Sequence, residues 1–180
     1  MSIRLLSISL ALAVVAPPAA VTAATQTNWR APAVLSSMEA RLLAAHNRER
    51  AMVGVPPLRW DPILAASAAS YGPALAAQGR LSHSPRAGRP GQSENLWMGS
   101  RGAYAPEQMV GSWAAEKANF VPGIFPNVSR TGNWLDVSHY TQMIWRGTTS
   151  VGCAVHRSAR WDYLICRYSP KGNQDGRRVP

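Results

Sequence analysis

The sequence predicts a single α+β domain in which helices come first and a strand hairpin follows near the C-terminus. Three observations carry that reading. Helix starts are written into the chain at Ser36-x-x-Glu39 and Asp61-Pro62; Met109, Val110, Trp113 and Ala114 recur at helical spacing; and strand-like alternation flanks Ser158-Ala159-Arg160 on both sides. A chain of 180 residues is long enough for one sizeable core and short for two.

The first helix is expected from Ser36, where a capping box satisfies orphan amides reciprocally, to about Met52, ahead of Gly54 and Pro56-Pro57. The second begins at Asp61-Pro62, a side-chain cap followed by the proline favoured at the first helical position. Its small apolar residues imply close packing, and Gly72-Pro73 predicts a kink or break. From Gly79 to Gly102 the chain is rich in Gly, Ser, Pro and Arg, so His83 and Glu94 are both expected on a long loop. A third helix is expected from Pro106, with Glu116 one turn beyond Trp113. Phe120 to Trp134 reads as irregular, broken by Pro122, Gly123, Pro126 and Gly132. A short helical turn then holds His139 to Trp145, and two strands, roughly 150–156 and 162–168, close the hairpin.

Residues 1–23 read as a secretory signal peptide, with a basic start at Arg4, an apolar run from Leu5 to Ala16, a Pro17-Pro18 break and small residues at Val21-Thr22-Ala23. The run is well short of the roughly 20 residues a bilayer-spanning helix needs, and no later segment is apolar enough, so the protein is expected to be secreted, extracellular or periplasmic, and not transmembrane. Residues 24–35 are expected to form a flexible lead-in, 36–174 the domain and 175–180 a tail. In an oxidising compartment Cys153 and Cys166 are expected to pair across the hairpin, a structural staple giving about 3 kcal/mol. No Cys-x-x-Cys spacing exists to support a redox role.

The chain carries 19 Lys and Arg against 9 Asp and Glu, a formal charge of +10, which favours anionic surfaces such as envelope polymers or lipid. The basic residues are scattered and accompany no nucleic-acid motif, so no nucleic-acid partner is expected. Some polar groups read as structural: His46 as a hydrogen-bonded core histidine, and His156 as an exposed strand residue. Trp60, Trp97, Trp113 and Trp145 read as core.

The densest chemistry lies in His139-Tyr140-Thr141-Gln142-Met143-Ile144-Trp145, just before the two-cysteine hairpin. Ser138 to Thr148, followed by Tyr163-Leu164-Ile165-Cys166-Arg167-Tyr168-Ser169-Pro170-Lys171-Gly172-Asn173, closely resembles the paired signatures of the CAP superfamily, also called SCP, which comprises cysteine-rich secretory proteins, antigen five and pathogenesis-related group one proteins. The resemblance extends to Ala45-His46-Asn47-x-x-Arg50, Leu58-Arg59-Trp60-Asp61, His83-Ser84, Glu94-Asn95-Leu96 and Trp113-x-x-Glu116. It implies a three-layer α-β-α sandwich with a small antiparallel sheet between helices, and a cleft holding His83, Glu94, Glu116 and His139. Two departures bear on backbone geometry: Ser138 stands where Gly or a charged residue is usual, and Ser93 where Gly usually precedes the glutamate.

Two imidazoles and two carboxylates facing one cleft suit two tasks. One is holding a divalent metal, zinc above all, at His83 and His139. The other is hydrolysis of peptides or envelope polymers, with a buried Glu94 or Glu116 of raised pKa activating water; Ser82 and Ser84 flank His83 but make no catalytic triad. The leading expectation is a secreted protein whose cleft and Phe120 to Trp134 segment bind a lipid, sterol or anionic envelope component. Phe120, Ile124, Phe125 and Trp134 motivate it, because a Gly- and Pro-broken segment seldom buries so many large apolar groups. The alternatives are the metal-assisted hydrolase and an extracellular protein-interaction module.

Overall fold

The helix starts form as their sequences require. In the structure, a computed structural model describing residues 35–180, α1 spans Ser37–Met52, and the Ser36 hydroxyl and the Glu39 carboxylate exchange hydrogen bonds with each other's backbone amides at 3.2 and 2.7 Å. The signal peptide read for residues 1–23 and almost all of the lead-in lie outside the described residues. Helix α2, Pro62–Gln78, is capped by Asp61, whose carboxylate accepts from Ile63 and Leu64, and ends at Gly79 in the left-handed conformation.

Helix α2 runs unbroken through Gly72-Pro73, so of the kink or break expected there the break does not occur. Pro73 lies on the exposed side together with Ala69, whose carbonyl the missing helical bond would have used, so water can satisfy it. Gly72 is on the buried side, where a Cβ would meet the His156 side chain at 2.5 Å. The glycine is therefore a point of close approach, and His156, expected to be exposed, is half-buried beneath the helix.

The sheet explains the rest of the layering. Strands β1 (Arg59–Trp60), β2 (Ser93–Ser100), β4 (Ser150–Arg157) and β5 (Trp161–Ser169) form one sheet in the order β1-β4-β5-β2. All pairs are antiparallel except the two-residue β1, which runs parallel to β4 and makes the sheet mixed. Alternation along β5 sorts its side chains between two cores. Leu164, Cys166 and Tyr168 pack with residues of α1, α3 (Pro106–Ala114) and α4 (Ser138–Met143), whereas Tyr163 and Ile165 pack with Ala68 and Leu75 of α2. Three layers result, α2 on one face and three helices on the other. Cys153 and Cys166 are opposite one another in the β4–β5 register, and their sulfurs are bonded.

Strand β2 replaces the later part of the expected long loop and pairs with β5 along its whole length, so Glu94 sits on a strand. A third core gathers Phe120, Phe125, Val128, Val137, Tyr140, Ile144, Trp145 and Val179. It is closed by β3 (Gly123–Ile124) pairing with β6 (Arg178–Val179), so the residues read as a tail include a strand whose Val179 is fully buried. The aromatics of the irregular segment divide: Phe120 and Phe125 are core, while Ile124 and Trp134 remain exposed. No helix among the described residues is long and apolar enough to cross a membrane.

Candidate functional site

The site grows out of one edge strand. Successive residues of β2 point to opposite faces: Glu94 turns toward the α2 side and meets His83, which follows α2, while Asn95 turns the other way and donates at 3.1 Å to the backbone carbonyl of His139 on α4. Two histidines far apart in sequence thus reach the start of β2 from either side of the sheet. A cleft of about 840 Å³ opens there, and His83, Glu94 and His139 line it.

Each histidine is oriented by a carboxylate. His83 donates from Nδ1 to Glu94 Oε1 at 2.7 Å, and its ring is 56% exposed while the Glu94 side chain is fully buried. Glu94 also accepts from the Ser84 amide at 3.0 Å and the Ser84 hydroxyl at 3.1 Å, and pairs with the buried Arg167 guanidinium at 3.1 Å. His139 donates from Nδ1 to Glu116 Oε1, and its ring stacks on Trp113 with an interplanar angle of 9°.

Glu116 occupies a 3-10 turn, Ala115–Ala118, behind His139 and is not part of the cleft lining. Its second oxygen accepts from the backbone amides of His139 and Tyr140, both at 3.0 Å. Helix α4 has no local side-chain cap, so Glu116 supplies one from elsewhere in the chain, with its charge at the favourable end of the helix. The two serines that depart from the superfamily pattern fit without strain. Ser138 has φ −65° at the start of α4, and Ser93 lies in β2, where its hydroxyl reaches Gln142 Oε1 and accepts from the Gly172 amide.

The raised pKa expected of a buried Glu94 is not what these contacts produce. Burial pushes it up, but the hydrogen bond from His83, the Arg167 charge and the Ser84 amide outweigh burial and hold the carboxyl below its ordinary value. Glu94 is therefore an ionised orienting group with its oxygens fully engaged, a poor arrangement for a general base.

For a metal, the donor set has a definite chemistry. Both Nδ1 atoms are committed to carboxylates, which fixes the tautomer and leaves each Nε2 as the lone-pair nitrogen, as in carboxylate–histidine–zinc arrangements. Imidazole nitrogen is a zinc ligand, and both rings line the one cleft. Among the described residues, the one group of three or more metal-type side chains with mutually close donor atoms is elsewhere: His46 with Cys153 and Cys166. Those sulfurs are spent in the disulfide, and both His46 nitrogens are used, on the Leu42 carbonyl and the Tyr168 hydroxyl, each at 2.8 Å. His46 is thus the satisfied core histidine expected.

Of the cleft's walls, Phe125 and Trp134 were legible in the sequence as part of the ligand-binding segment, but Leu135 and the basic residues were not. Arg86, Arg89 and Lys171 are among the lining residues, as are Phe125, Trp134 and Leu135. Arg89 also donates to the Ser84 hydroxyl at 3.0 Å, steadying the His83 loop.

The family model described as CAP, cysteine-rich secretory protein family, matches residues 43–168. The chain belongs to the CAP family. Among the relatives of this CAP protein, a pathogenesis-related protein PR-1 type from Sambucus nigra is 37% identical over 136 residues, covering 74% of this chain and 77% of that protein. Pathogenesis-related protein 1 of Arabidopsis thaliana is 39% identical over 132 residues, covering 73% and 75%. Among solved structures, NaASP2 crystallised with Zn2+ superposes with a TM-score of 0.68 at 25% identity, covering 80% of this chain and 85% of that one. BmVAL-1 gives a TM-score of 0.67 at 24% identity, covering 81% and 82%, and shares the fold. The CAP sandwich expected from the sequence is therefore the fold of this chain.

Proposed function

We propose that this CAP protein is exported, to the extracellular space or periplasm, and binds in its cleft a lipid or other amphiphilic cell-envelope component with an acidic head. The observation that carries this reading is the composition of the walls: cationic Arg86, Arg89 and Lys171 suit an anionic group, and Phe125, Trp134 and Leu135 suit an apolar body. A neutral sterol would use only the apolar residues. Export is supported by the disulfide and by the signal-peptide pattern of residues 1–23.

His83 and His139 would hold a zinc ion through Nε2, and NaASP2, which shares the fold, was crystallised with Zn2+. Bound there, zinc supplies a Lewis-acidic positive charge for a carboxylate or phosphate head. The residues do the remaining work: Glu94 and Glu116 hold the rings in the required tautomer, and Trp134 and Leu135 cover the apolar part of the ligand. The hydrolase reading has no comparable support, since Glu94 is saturated with donors and Glu116 caps α4.

The test is a fluorescent-lipid titration of the exported protein, with and without zinc, comparing acidic and neutral headgroups. Saturable binding that favours acidic heads and weakens in Trp134→Ala/Leu135→Ala supports the proposal. Absence of saturable binding under both conditions discards it.

A further inference from the structure

A second concavity, of about 400 Å³, lies between the end of α4 and the C-terminal strand β6, lined by Trp145, Arg146, Gly147, Gln174, Arg177 and Arg178. Gln174 borders both this hollow and the cleft, and the rest of the lining is its own. Three of these residues are arginines and none is acidic. The ion pairs of arginine and lysine among the described residues involve Arg41, Lys117, Arg157 and Arg167, and none of the three. Asp175, close in sequence, borders the cleft instead.

A single exposed arginine is an ordinary solvated group. Three around one hollow without a counter-charge repel each other, and an anion between them relieves that repulsion. The buried Arg50 adds to the positive field: its guanidinium meets only carbonyls, those of Pro56, Met143, Trp145 and Thr148. Burial, and next the charge of Arg146, lower its pKa to about 10.

A different observation points the same way. Trp145 is only 5% exposed, yet no acceptor among the described residues meets its indole N–H, in contrast to Trp113, which donates to the Leu96 carbonyl at 3.1 Å. The Trp145 nitrogen lies beside Gly147, itself part of the hollow, where a Cβ would stand 3.4 Å from it. The nitrogen is not among the enclosed polar atoms left without a partner, so it keeps solvent contact, and an oxygen entering the hollow can take the place of water on it.

We infer that this hollow is a second binding site, for a tetrahedral oxyanion of the phosphate or sulfate type, held by Arg146, Arg177 and Arg178 with the Trp145 indole N–H as a neutral donor. Guanidinium forks match the paired oxygens of such a group, and the glycine at 147 keeps the approach to the indole open. The site is independent of the cleft and of what the cleft binds.

The experiment titrates the exported protein with inorganic phosphate, inorganic sulfate, sn-glycerol 3-phosphate, and phosphatidylcholine vesicles with and without phosphatidic acid. Binding is followed by calorimetry and by the indole N–H resonance of Trp145. One saturable site that shifts this resonance is expected, with affinity falling as salt rises. In Arg146→Gln/Arg177→Gln/Arg178→Gln, whose exposed side chains leave the core untouched, affinity falls about tenfold or more. His83→Ala/His139→Ala, which alters only the cleft, leaves the titration of the Trp145 resonance as in the parent. Binding by the small ions alone marks a free oxyanion as the ligand, and binding by phosphatidic acid vesicles marks a headgroup. The inference is overturned if no probe saturates, if the triple variant binds unchanged, or if the histidine variant loses the site.

Discussion

Arg167 on β5 stands directly opposite Glu94 on β2, and its guanidinium lies 3.1 Å from the carboxylate oxygen that His83 does not use. The side chains are 4% and 0% exposed, so the pair is internal to the face of the sheet covered by α2. Arg167 Nε and Nη1 are enclosed without hydrogen-bond partners, and the Tyr71 ring sits 5.9 Å from the guanidinium carbon.

Removing one member of such a pair strands the other. Arg167→Met is expected to destabilise the domain by about 3 kcal/mol. Glu94→Gln/Arg167→Met should cost less than the sum of the single changes, because neither charge is left alone. Urea unfolding of the three variants checks this, and strict additivity would contradict the pairing.

His46 makes stability depend on pH. Burial, together with the nearby charge of Arg50, outweighs its bond to the Leu42 carbonyl and lowers its pKa from 6.5 to about 4. Between those values the unfolded chain takes up the proton and the folded chain does not, so stability is complete above 6.5 and falls as pH drops toward 4, by about 3 kcal/mol in all. Glu94, held below the ordinary carboxylate value, adds a further loss as pH falls below 4.5. Thermal melts from pH 7.5 to 4 should show the slope, and His46→Gln should flatten its upper part while lowering stability at neutral pH.

Gly152 and Gly111 should respond in opposite directions to the same change. A Cβ at Gly152 would lie 2.2 Å from the Ala65 nitrogen and 2.4 Å from the Asp61 carbonyl, backbone atoms of the first turn of α2 that have nowhere to move. Gly152→Ala is expected to cost about 3 kcal/mol, the upper end for overpacking. Gly111 is an exposed residue inside α3 with nothing within 4 Å, and Gly111→Ala should stabilise by about 0.5 to 1 kcal/mol. Paired urea melts decide both.

The Cys153–Cys166 link closes a separation of 13 positions. Cys153→Ala/Cys166→Ala should lose about 3 kcal/mol by the chain-entropy account, with the fold retained by circular dichroism. A variant as stable as the parent would show that the hairpin register is held by its hydrogen bonds alone.

What was legible in the sequence was what is decided locally. The caps at Ser36 and Asp61 need only residues a few positions apart, and the terminal hairpin carries its own alternation. Strand β2 was missed because the Gly- and Arg-rich residues before it suggested loop, and its strand state depends on β5, more than sixty positions away in the register Glu94↔Arg167. The same distance hid Arg167, which looked like any strand residue beside Cys166. Helix α2 survived Pro73 through a solvent-facing carbonyl, a matter of orientation that composition does not carry. His83, Glu94, Glu116 and His139 were legible only through the superfamily resemblance. Their division into two orienting carboxylates and two presented rings needed the geometry.

Arg50 has one more implication, for the order of events as the chain is made. Its guanidinium near the N-terminal end of the domain waits for carbonyls at Met143, Trp145 and Thr148, between 93 and 98 positions later. Helices α1 and α2 are therefore synthesised well before the groups that anchor them exist. A ribosome-bound fragment ending ahead of Met143 leaves the guanidinium with the Pro56 carbonyl alone of its four acceptors and has neither β4 nor β5 for the helices to lie on, so closure of this domain belongs to the last stage of its synthesis.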